Sequence, residues 1–143
     1  TAADLIDRIN TAWKSWRESL PTDLSELTAK PADGWTLKDL MAHITWHEQE
    51  MINVVRAKAL AASEWWILPQ DERNENIRAL HADDAVEDVV SRLDATHTDL
   101  LEALATLEDR DLHDPARFDG MPAEWAPWSL IANNTYEHYQ AHT

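Results

Sequence analysis

At 143 residues the chain fits one domain, 1–143, and is long enough to bury a core without disulfide or metal staples. Its 27 acidic and 12 basic residues give a formal charge of −15, a surface that repels phosphate backbones and anionic lipid and so disfavours nucleic-acid and membrane-surface partners. With no cysteine there is no disulfide framework, no thiolate nucleophile and no Cys-based zinc site, so any metal must sit on His, Asp or Glu.

Only 2 Gly and 6 Pro punctuate a chain rich in Ala, Leu, Glu and Asp, which predicts an all-α fold. Leu5, Ile9, Ala12 or Trp13, Trp16 and Leu20 recur at helical spacing, and Pro21 stops this first helix. The stretch "LPTDLSELTAKPADGW" reads as punctuation through Pro21, Pro31 and Gly34. Thr36, with Asp39 three residues on, then reads as the N-cap of a second helix that runs without a breaker to about Ala62.

Residues 63–82 break the period at Pro69 and offer one short helical turn around Asn76 to Leu80, so they read as a long crossover. Asp83 or Asp84 is the expected cap of a third helix, whose stripe is Val86, Val89 or Val90, Leu93, His97, Leu100, Leu101, Leu104 and Leu107. A second irregular connection follows. The fourth helix starts after Pro127 and aligns Trp128, Ile131, Thr135, His138 or Tyr139, and His142. These elements predict a four-helix bundle, and the crossover is long enough for helices two and three to lie parallel.

The apolar runs fall far short of the ~20 residues a membrane helix needs, and no charged-then-apolar leader opens the sequence, so a cytoplasmic protein is expected. The 8 Trp come in four pairs, and half of them lie at predicted element ends, where indoles roof a pocket as well as fill a core. Of the 7 His, His43 and His47 are four apart on helix two, and His138 and His142 are four apart on helix four. Residues so spaced share one helix face with Cβ atoms ~5–6 Å apart, so such a pair can offer two nitrogens to one cation. If helices two and four run antiparallel, His43 meets His138 and His142 at one level. Solvated histidines at a helix end are the alternative.

His47 is open as a fourth ligand, a partner that orients a ligand, or a general base. His97 reads as a core histidine, and His81 and His113 as solvated. "HEQEM" departs from the zinc-peptidase HExxH pattern at Met51, and no Glu-x-x-His pair of the di-iron bundles occurs.

"GWTLKDLMAHITWHE" (34–48), "NENIRALHADDAVEDVVSRLDATHTDLLEALATLEDRDL" (74–112) and "WSLIANNTYEHYQAH" (128–142), in this order, resemble the DinB/YfiT-like superfamily and, within it, ClbS/DfsB-type proteins. The resemblance implies an up-down-down-up bundle and a divalent metal, zinc or nickel, held by His43, His138 and His142. Relatives usually carry Trp where this chain has His47, while Trp46 comes one position early. Superfamily activities include thiol-dependent transferases, metal-dependent hydrolases and self-resistance proteins. The implied reading is therefore a metal-binding enzyme that delivers a metal-activated water or low-molecular-weight thiol to a small electrophilic substrate. His47, and after it Glu48, are the candidates for proton transfer. Non-catalytic binding or sequestration of a small molecule is the alternative, and a homodimer is the assembly common in the superfamily.

Overall fold

The long helices begin where the sequence supplies caps. In the computed structural model, which describes residues 1–31, 34–60 and 63–142, α1 (Ala2–Ser19) starts at Thr1, paired with Asp4 in a capping box. It buries Leu5, Ile9 and Trp16 along one stripe and ends at Leu20, which is extended ahead of Pro21. Within the stretch read as punctuation, Asp23 caps a short helix, α2 (Leu24–Thr28), which buries Leu27.

Helix α3 (Leu37–Ala57) starts at the expected capping box, in which Thr36 Oγ1 accepts from the Asp39 backbone and Asp39 accepts from the Thr36 backbone. It ends earlier than its apolar period suggests. Lys58 turns left-handed at φ 46, and the chain then pairs with the 105–126 connection through Leu60 N–H to Asp119 O at 2.7 Å and Asp119 N–H to Lys58 O at 2.9 Å. Ala61 and Ala62, the last positions of the expected helix, lie outside the described residues.

The crossover holds more helix than one turn. A 3₁₀ turn (Glu64–Ile67) leads into α4 (Gln70–His81), a helix of 12 residues that buries only Ile77. So little apolar content gave no stripe to read; α4 is held where it packs on α3. Helix α5 (Val86–Leu104) buries Val89, Leu93, His97, Leu100 and Leu104 as expected, but its N-cap is Ala85, with no side-chain cap. Asp84 is engaged elsewhere, 2.8 Å from His81 Nδ1 and 3.2 Å from Arg92, so His81 is half-buried and partnered rather than solvated.

The expected fourth helix is broken into α6 (Pro127–Asn133) and α7 (Tyr136–Ala141). At the break Asn134 and Thr135 turn their side chains back onto the Leu130 and Ile131 carbonyls at 2.9 and 2.7 Å, and Thr135 leaves helical geometry with ψ −103.

All regular structure among the described residues is helical; the one β-type contact is the isolated bridge between Ala59 and Asp119. Helix α3 packs along α5, and α1 packs against α7, enclosing Ile9, Trp16, Met41, Ile44, Leu93 and Tyr139. Each such large apolar side chain contributes about 1.5–3 kcal/mol on burial. No described helix is long and apolar enough to cross a membrane.

Candidate metal centre

The central helix, α3, presents His43 and His47 one turn apart on a buried face, 3% and 5% exposed. From the other side α7 brings His138, and the residue that ends α7 is His142. The His43 ring centroid lies 4.5 Å from that of His47, 4.8 Å from His138 and 5.2 Å from His142. His138 lies 4.4 Å from His47 and 4.8 Å from His142. Four imidazoles thus converge, and one nitrogen from each of His43, His47 and His138 falls within 4.8 Å of the other two.

Hydrogen bonding prepares these rings to receive a cation. His47 donates Nδ1–H to the His43 carbonyl oxygen at 3.0 Å, which leaves its Nε2 lone pair free. His43 Nε2 and His138 Nε2 are 2.9 Å apart, while the Nδ1 of each is buried without a hydrogen-bond partner. Two nitrogens bound ~2.1 Å from one ion lie ~3.0 Å apart at a right angle and ~3.4 Å apart at the tetrahedral angle, so the observed spacing suits two ligands on one cation. Burial, reinforced by neighbouring histidines, pushes His43 down to about 3 and His138 to about 2. Burial likewise holds His47 at about 4 and lowers His142. All four are neutral near pH 7, the state a metal requires of imidazole.

Indoles wall the cluster. Trp35 meets His43 edge-on at 5.1 Å, and Trp46 and Trp66 meet His47 at 5.0 and 5.5 Å. Trp66 belongs to the crossover and is pinned to α3 through Glu50, whose Oε1 accepts from Trp66 Nε1 at 3.0 Å and from Ser63 N–H at 2.8 Å. This docking of the crossover by a buried carboxylate had no local signature in the sequence, because Glu50 and Trp66 are linked only by the fold.

Glu48 is fully buried but faces a different set of groups. Its Oε1 accepts from Tyr139 O–H at 2.5 Å and from His97 Nδ1–H at 3.3 Å. His97 stacks on Trp13 at 4.0 Å and has Asn10 Oδ1 3.3 Å from its Nε2, which makes it a hydrogen-bonded core histidine. Tyr139 is the residue after His138, so Glu48 anchors the short helix that carries two of the four imidazoles. His113 is exposed.

The model of the DinB superfamily matches residues 2–142. The chain belongs to the DinB superfamily. Metal binding is known in that superfamily, and the histidines of this DinB chain have the geometry to hold a metal ion. No curated protein and no solved structure matches it.

Proposed function

We propose that this DinB-superfamily chain is a metal-dependent enzyme acting on a small electrophilic molecule, built as a single up-down-down-up four-helix domain with α6 and α7 together as its fourth arm. The observation that carries the reading is the convergence of neutral, under-bonded imidazoles from α3 and α7. Between the two facing Nε2 atoms a purely structural pair can place only one proton, whereas a shared cation takes a lone pair from each. In this reading His43 and His138 hold the cation, His142 closes the site from its more exposed side, and the free Nε2 of His47 supports a role as an additional ligand.

Zinc or nickel bound there would lower the pKa of a water or small thiol on an open position and make it nucleophilic at neutral pH. The chain has no cysteine, so a thiol must come from solution. The residues' own tasks are to orient and to exclude water: Trp35, Trp46 and Trp66 wall the rings, and Glu48 fixes α7 through Tyr139. With His47 as a ligand, proton transfer is left to the substrate-facing water or thiol.

The test is elemental analysis of tag-free protein after incubation with zinc or nickel and gel filtration. One equivalent of metal is expected for wild type and less than a tenth of that for His43→Ala and His138→Ala. His47→Ala is expected to weaken binding by at least the 10–100-fold typical of a lost orienting contact, and His142→Ala by less than His47→Ala. Wild type without metal, or metal retained in both His43→Ala and His138→Ala, refutes the reading.

A further inference from the structure

We propose that the cavity between α3, the crossover and α6 is a binding site for a small primary amine with an apolar body, held as its ammonium by Glu50. No histidine lines this cavity, so the site is separate from the metal centre.

The cavity has a volume of about 210 Å³. That exceeds the ~150 Å³ known to hold benzene, and it suits a body of about one ring. Met51, Val54, Leu60 and Leu130 give it aliphatic walls, and Trp66 and Trp125 give it indoles. Met51 and Val54 are each 2% exposed, whereas Trp125 is 41% exposed, so solvent reaches that wall. Such a lining favours an aromatic or short aliphatic body.

Glu50 is the one charged residue in this wall, and it is 7% exposed. Among the described residues its hydrogen bonds come from neutral donors. Oε1 accepts from Ser63 N–H at 2.8 Å and from Trp66 Nε1–H at 3.0 Å, while Oε2 has only Asn53 Nδ2–H, at 3.4 Å. A carboxylate offers about four lone-pair sites, so Oε2 keeps room for another donor. Arg73 lies over the Trp66 ring, 4.8 Å from its centroid, and makes no ion pair with Glu50. A buried charge is costly unless it is paired, so a carboxylate without a counter-ion in an apolar wall selects a ligand that brings the opposite charge. The spare lone pairs call for a cation that also donates N–H, which an ammonium does and a quaternary amine does not.

The test uses benzylamine, protonated at neutral pH, and its uncharged analogue benzyl alcohol, titrated calorimetrically into metal-free wild type, Glu50→Gln and Leu130→Trp. Wild type is expected to bind benzylamine at least tenfold more tightly than benzyl alcohol. It should also prefer benzylamine to ethylamine, which carries the charge without the ring. Glu50→Gln keeps an oxygen for Ser63 and Trp66 and loses the charge. It should bring the two benzyl probes within about threefold of each other while residues 63–69 are cleaved by protease at the wild-type rate. Leu130→Trp, which fills the cavity from α6, should lower affinity for both benzyl probes at least tenfold. No binding of benzylamine to wild type, no preference over benzyl alcohol, or equal binding of ethylamine overturns the proposal. A preference undiminished in Glu50→Gln overturns it too, because the acidic surface of a chain of charge −15 would then hold the amine. If Glu50→Gln is cleaved faster than wild type, its crossover has loosened and Leu130→Trp decides: unchanged benzylamine affinity in that variant overturns the proposal, and the tenfold loss supports it.

Discussion

Tyr139 shows how one hydroxyl ties the core to the candidate site. Its O–H donates to fully buried Glu48, and burial beside that carboxylate raises the phenol well above its usual pKa, so it remains a donor at every working pH. Tyr139→Phe removes the closest donor to Glu48 and leaves His97 as the other donor to the same oxygen, while Glu48 Oε2 already lacks a partner. Hydrogen bonds to charged groups contribute about 1.5–3 kcal/mol, and a fall of that size is expected in the urea-derived stability of the metal-free protein. Because Tyr139 adjoins His138, zinc affinity should fall by about 10-fold or more in the same variant. Stability loss with unchanged zinc affinity would show that Glu48 and Tyr139 serve the core alone.

At the scale of elements, the crossover depends on a few polar anchors. Helix α4 buries one residue, Ile77, and the turn before it is fastened by Glu50 through Ser63 N–H and Trp66 Nε1. Segments with few buried apolar contacts open locally at a small fraction of the global free energy. Glu50→Ala should therefore speed proteolytic cleavage within residues 63–69 severalfold while lowering global stability by only about 1–2 kcal/mol. Cleavage at the wild-type rate would mean that the indole stacking of Trp46 with Trp65 and Trp66 holds the crossover by itself.

For the whole molecule, the buried histidines link stability to pH. Their ordinary value is 6.5, and burial holds His43, His47 and His138 near 3, 4 and 2 in the folded chain. Below pH 6.5 the unfolded chain takes up protons that the folded chain refuses. The stability from neutral imidazole is thus full above 6.5 and is lost progressively as pH falls toward the folded values. Each histidine contributes a slope of up to about 1.4 kcal/mol per pH unit in that window. The urea midpoint of metal-free protein is expected to drop steeply between about pH 7 and pH 5 and less steeply in a His43→Ala, His138→Ala double variant; equal slopes would count against buried neutral rings. Zinc at about 100 times its Kd should add about 2.7 kcal/mol at pH 7, and that increment should shrink as the pH falls and protons compete for the same nitrogens.

Local physics determined what the sequence could disclose by itself. The capping box at Thr36, the stripe from Val89 to Leu104 and the turn-spaced pairs His43/His47 and His138/His142 each depend on residues within a few positions of one another. Periods and caps are therefore enough to read them. Family membership was legible for a related reason, since its motifs are local runs at 34–48, 74–112 and 128–142, within the 2–142 that the superfamily's model matches. Tertiary structure decided the rest. Helix α3 stops at Ala57 because Asp119, far along the chain, pairs with its exit. Polar α4 forms because α3 supports it. The last helix breaks where Asn134 and Thr135 bond back to the preceding turn, and Glu48 draws the short helix beyond the break inward through Tyr139, bringing His138 within 2.9 Å of His43. Arg73 meets Trp66 across a crossover with no periodic signal. Contacts between distant segments are set by packing and by the pairing of buried polar groups, and those energies exist only once the chain has folded.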